Sequence, residues 1–151
     1  MEKQETAEGA EQEFSLGRAA LDREDTLAAL KHLERALRLQ DNPAWHSYLG
    51  YCIAKERGQY RKGVELCQNS LAEEPGHPEH IYNLARVHLV TGDKMKALQV
   101  LREGMTNGGS PEIVRLLVTL GQRSPLLFPS LSRTNPLNRY LGMLLKRLGL
   151  R

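Results

Sequence analysis

The stretch that decides the reading is Tyr82 to Gly104, YNLARVHLVTGDKMKALQVLREG. It divides into two short helical segments. Leu84-Ala85 lies in the first, which runs to Val90, and Gly92-Asp93 makes a turn. Ala97, Leu101 and Gly104 follow at helical spacing. Gly92 suits a residue just past a helix end, where φ is positive, and Asp93 can accept a backbone N–H at the start of the next helix. Small residues on facing sides let two helix backbones approach closely.

The stretch recurs. Stepping back 34 residues turns Gly92, Ala97, Leu101 and Gly104 into Gly58, Gly63, Cys67 and Ser70. A second step gives Glu24, Ala29, Leu33 and Ala36. The first helices repeat through Leu16-Gly17, Leu49-Gly50 and Leu84-Ala85, spaced 33 and then 35 apart. The middle unit therefore has one extra residue in its internal turn and one fewer in the linker before it. A helix–turn–helix period of 34 residues implies an all-α fold, an α-solenoid of stacked helix pairs.

With Trp45, Leu49-Gly50, Gly58, Tyr60, Gly63 and Pro75 in its middle unit, the chain resembles the tetratricopeptide repeat (TPR) family. The outer units depart from that pattern. Thr26 and Lys94 stand where Tyr60 does, and Asp41 and Gly109 where Pro75 does. The resemblance covers roughly residues 10–109 and implies a generic binding scaffold rather than one activity.

The expected organisation is a flexible acidic N-terminus over residues 1–9, then a repeat domain over 10–123. Its repeats span about 10–42, 43–77 and 78–110, followed by a capping helix at 111–123. A Pro-rich extended arm covers 124–134 and a basic amphipathic helix 135–151. Four helix starts are marked by Asn42-Pro43, His77-Pro78, Ser110-Pro111 and Asn135-Pro136. Proline at the first helical position loses no hydrogen bond, because the first N–H groups of a helix have no intrahelical acceptor. The segment after Pro111 carries Ile113, Val114, Leu116, Leu117, Val118 and Leu120 on more than one side, so something has to cover it.

Composition fits a helical solenoid, with 40% hydrophobic residues but only two Phe and one Trp. The net charge of +3 hides an asymmetry: residues 1–13 hold five Glu against one Lys, and residues 102–151 hold eight Lys/Arg against two Glu. A solvated surface, an acidic partner, an anionic surface or contact between the two ends would each account for it. The basic residues are too dispersed for a nucleic-acid footprint, so no nucleic acid is expected as a partner. Cys52 and Cys67 have no metal-finger spacing and read as small core residues. No stretch is apolar enough for a transmembrane segment, and with two free thiols the expected location is cytoplasmic.

No phosphate loop, nucleophile elbow or paired-carboxylate motif is present, so an enzyme is not expected, nor a cofactor. His77 and His80 are three apart and could share a metal, but spacing names no third ligand, and both read as surface histidines at a boundary. No metal is expected.

What remains is binding of another protein or peptide. By the resemblance, the first helices line a concave groove, and the residues one before and two after each Leu-small pair, with positions a turn away, face into it. These are Phe14 and Arg18; Tyr48, Tyr51 and Lys55; and Tyr82, Asn83, Arg86 and Leu89. Aromatics offer rigid area, while Arg and Asn pair carboxylates and peptide groups. The family's carboxylate clamp is not matched, since its places hold Phe14, Arg18, Tyr48, Glu79 and Asn83.

The leading expectation is a non-catalytic adapter or scaffold. One alternative is a client-holding chaperone similar to the class II type III secretion chaperones, whose acidic character this chain lacks. Another is a homodimeric regulatory protein whose groove is filled by its own C-terminal arm. The final helix carries the stripe Leu137, Tyr140, Leu141, Leu144, Leu145 and Leu148. It has three readings: intramolecular packing, self-association through Leu137, Tyr140, Leu141, Leu144 and Leu148, or seating on an anionic membrane.

Overall fold

Side-chain chemistry at the turns sets the helix boundaries. Asp25 accepts a hydrogen bond from the Ala28 N–H at 3.0 Å, and Asp93 does the same for Lys96 at 3.0 Å. Asn42 accepts from the Ala44 N–H, and the Ser110 hydroxyl from the Ile113 N–H. The backbone turns with positive φ at Gly58 (65°) and Gly92 (80°), as their spacing predicts, and also at Glu24 (59°).

The computed structural model describes residues 2–121, and within them the order is α1 (Glu2–Asp22), α2 (Thr26–Leu39), a single 3-10 turn (Pro43–Trp45), α3 (His46–Arg57), α4 (Tyr60–Glu73), α5 (Pro78–Val90), α6 (Lys94–Thr106) and α7 (Pro111–Gly121). Consecutive helices pair as α1 with α2, α3 with α4 and α5 with α6; the first pair packs on the second through α2 against α3, and the second on the third through α3 and α4 against α5. This is an all-α solenoid of three helix pairs with α7 in the place of a fourth first helix. Three of the four Pro boundaries start a helical element here; Pro136 lies outside the described residues, as do the extended arm 124–134, the closing helix and its Leu137, Tyr140, Leu141, Leu144 and Leu148 stripe.

At the N-terminus, residues 2–9 form the first turns of α1. Ala10 is fully buried with Ala36 and Trp45, and the acidic residues that suggested a loose end sit where the helix dipole favours negative charge.

The second-helix positions of the 34-residue pattern are interior, while its turn residues Glu24, Gly58 and Gly92 are exposed. Ala29, Leu33 and Ala36, then Gly63, Cys67 and Ser70, then Ala97, Leu101 and Gly104 are all buried, as are Gly17, Gly50 and Ala85 opposite them. Close approach is the reason for the small residues. A Cβ on Gly50 would stand 2.7 Å from the Gly63 carbonyl oxygen, and a Cβ on Gly63 2.7 Å from that of Gly50. The main core runs from Ala20, Leu30 and Leu33 through Tyr51 and Ile53 to Leu84 and Val87. A second cluster joins Ile81, Ala97 and Leu101 to Ile113 of α7. Burying each such aliphatic side chain contributes about 1.5–3 kcal/mol. Cys52 and Cys67 are free and buried, as the spacing implies; burial pushes the Cys52 thiol up to about 12 and that of Cys67 up as well, so neither is a nucleophile. Among the described residues no helix is long and apolar enough to cross a membrane.

Candidate functional site

The successive first helices α1, α3, α5 and α7 bring their side chains to one concavity of about 490 Å³. Five of the residues singled out by spacing line it: Arg18, Tyr48, Tyr82, Asn83 and Arg86. Arg86 is half-buried, with its guanidinium carbon 3.5 Å from the centre of the Tyr51 ring and 5.1 Å from that of Tyr82. Two ring faces therefore hold the cation in place. Among the described residues no carboxylate forms an ion pair with it.

Arg18 is engaged differently. It donates to a Glu79 carboxylate oxygen at 2.8 Å, joining α1 to α5, and lies 5.7 Å from the Tyr48 ring centre. Both partners of this ion pair are largely exposed, so it adds little to stability, about 0–1 kcal/mol.

Four predicted residues do not line the concavity. Phe14 stacks on Trp45 at 4.5 Å between ring centres and meets Tyr48 edge-on at 5.2 Å, so its ring completes a core cluster. Tyr51 is 5% exposed and acts as the platform under Arg86. Leu89 packs with Ile81 and Leu101, and Lys55 is exposed at the end of α3, away from the lining. Asn83 is at the wall yet only 2% exposed, because its amide donates inward to the Ser47 hydroxyl at 3.2 Å.

Of the acidic half of the site, spacing placed only Glu79 and missed Asp22, Glu24 and Glu112. Asp22, Glu24, Glu79 and Glu112 line it together with Arg115, so three arginines face four carboxylates, and the inner face is of mixed charge instead of aromatic and basic. The segment after Pro111 takes the place of a fourth first helix, and carrying Glu79 and Tyr82 forward by the 33 residues from Pro78 to Pro111 gives Glu112 and Arg115.

A buried polar network lies behind the Tyr48 wall. The Ser47 N–H donates to the Ser70 hydroxyl at 2.8 Å, and that hydroxyl donates to the Pro43 carbonyl at 2.7 Å. Ser47 Oγ is 2.8 Å from His80 Nδ1, and His80 Nε2 is 2.7 Å from a Glu74 carboxylate oxygen. Burial holds the His80 pKa below the ordinary histidine value, against the opposing pull of its Glu74 hydrogen bond. The repeat marked Ser70 as a small packing position, but no sequence signal marked Ser47 or joined the two, whose partners are 20 to 36 residues away.

Models of the tetratricopeptide repeat family match the chain over residues 14–57 and 54–118. Among curated proteins it is similar to interferon-induced protein with tetratricopeptide repeats 2 of Cricetulus griseus, 30% identical over 77 residues. That match takes in 51% of this chain and only 16% of the relative. Solved structures of the same shape include the Sgt2 TPR domain of Aspergillus fumigatus, with a TM-score of 0.57 and 20% identity over 86% of this chain and 93% of that one. An O-GlcNAc transferase mutant of Thermobaculum terrenum has a TM-score of 0.63 and 23% identity over 82% of this chain and 24% of that one. The TPR2B domain of yeast Sti1, solved as a pHsp70 complex, has a TM-score of 0.58 and 18% identity over 77% of this chain and 98% of that one. At such identities these likenesses speak for the fold alone. The role that goes generally with these repeats is that of a protein-interaction scaffold.

Proposed function

Because the chain belongs to the tetratricopeptide repeat family, we propose that it is a non-catalytic adapter holding an extended peptide segment of a partner protein in the concavity formed by α1, α3, α5 and α7. One observation carries this reading. Arg86 is pre-oriented by Tyr51 and Tyr82 at the wall, with no carboxylate partner among the described residues. A guanidinium with its rotamer already restrained loses little entropy on meeting a carboxylate or a peptide carbonyl, and Tyr82 beside it offers flat area to a side chain of the segment.

The mixed charge of the lining fits a segment that carries both signs, with an acidic group toward Arg86 and a basic one toward Glu112 or Asp22. A uniformly acidic tail would meet four carboxylates as well as the arginines. The yeast Sti1 domain of the same fold was solved as a pHsp70 complex.

The test is a peptide array probed with the full chain, followed by titration of positive peptides into isotope-labelled protein. Expected are shifts confined to the concavity and a loss of about tenfold or more in affinity for Arg86→Ala combined with Tyr82→Ala. Tyr51 is left unaltered because it is buried and its truncation would disturb the core. Shifts on another surface, or an unchanged affinity in the double variant, would count against the groove.

A further inference from the structure

At the turn between α4 and α5, three potential metal donors converge: Glu74, His77 and His80, each offering one ligand atom, all within 4.8 Å of one another. They stand at positions i, i+3 and i+6 across a segment bent by Pro75 and Gly76, the latter with φ of 76°. The rings of His77 and His80 lie 4.6 Å apart, centre to centre, tilted by 31°. His80 is fully buried with its Nε2 turned toward Glu74, and Ser47 holds the opposite ring nitrogen. His77 has a buried Nδ1 with no hydrogen-bond partner among the described residues.

We propose that Glu74, His77 and His80 form a three-donor site for a divalent transition cation of the zinc class, clamping the turn that joins the second and third repeats. The donor set of two imidazoles and one carboxylate suits zinc, with water completing a tetrahedral shell. Bond lengths near 2.0–2.2 Å would bring the donors to about 3.4 Å from one another. Glu74 is exposed and His77 half-buried, so rotation of these two side chains can close the gap while His80 stays fixed in the core.

The support behind His80 is of the kind metal-bound histidines have. With the cation on Nε2, the ring proton moves to Nδ1, which then donates to Ser47 Oγ. Ser47 Oγ also receives the Asn83 amide, and Tyr48 meets the His80 ring edge-on at 6.1 Å. Both residues line the concavity, so a cation here would stiffen the wall behind it. Binding of the cation nonetheless stands or falls independently of any peptide.

The test is a zinc chloride titration of the full chain without an affinity tag, in competition with a chromophoric chelator, and cobalt(II) absorption as a second readout. Expected is one ion per chain, a cobalt spectrum without a thiolate band, and affinity at least about tenfold weaker in both Glu74→Gln and His77→Ala. Circular dichroism of the two variants checks that they keep the fold. Absence of one-to-one binding in the full chain, or undiminished binding in either folded variant, would overturn the proposal.

Discussion

Glu24 occupies the turn position that the second and third repeats give to Gly58 and Gly92, and all three have positive φ, 59° at Glu24. A side chain in that left-handed region is strained, whereas glycine is not. Glu24→Gly is therefore expected to stabilise the fold by about 0.5–1 kcal/mol in urea unfolding. A loss of stability would mean that contacts of the Glu24 side chain outweigh the strain.

Residues also determine the pH response. Burial holds the pKa of His80 below its ordinary 6.5, with Glu74 and Glu79 opposing and His77 assisting; His88 is lowered by burial, with Asp93 opposing and Lys96 assisting. The unfolded chain then binds protons that the folded chain does not, so stability is full above about pH 6.5 and declines as pH falls through that value. In chelator-containing buffer the melting temperature should drop between pH 7.5 and 5.5, and His80→Gln should flatten the drop. The lowered carboxyls of Asp93 and Glu112 lose their contribution only in more acidic solution. A flat profile for the unaltered chain would contradict the assignment.

At the scale of elements, the decisive contact is backbone against backbone. α3 and α4 touch where Gly50 and Gly63 face each other, and an added methyl meets a carbonyl oxygen at 2.7 Å. Gly50→Ala gains helix propensity but forces the pair apart. The net expectation is a destabilisation of about 1–3 kcal/mol by chemical denaturation, and no change in stability would show that the pair can separate freely. This contact was legible beforehand, because the 34-residue register placed a small residue at each facing position. So were the cap at Asp93 and the helix starts at Pro43, Pro78 and Pro111. The burial of Ala10 against Ala36 and Trp45 was not, because its partners lie in other elements.

For the whole molecule, the unfinished surface is that of α7. Ile113 is buried with Ile81 and Leu101, but Val114 and Val118 are 44% and 57% exposed on the same helix. Exposed apolar residues at the end of a solenoid favour association. A chain ending at Gln122 is expected to self-associate, by light scattering, at concentrations where the full chain does not. Equal masses would show that residues 123–151 do not shield this helix.

The sequence by itself determined the repeat, because a period of 34 with small and apolar residues in register follows from how closely stacked helices must approach. It also named the helices whose side chains reach the concavity. Only tertiary structure decided which of those side chains stay available there. Phe14 and Tyr51 were taken into the core, Asn83 turned inward to Ser47, and Arg86 was left braced at the wall. Periodicity specifies the direction in which a residue leaves its own helix. What it meets depends on side chains from other repeats, and that is also why Ser47, 33 residues from His80, and the carboxylates of α1 and α7 escaped any local reading.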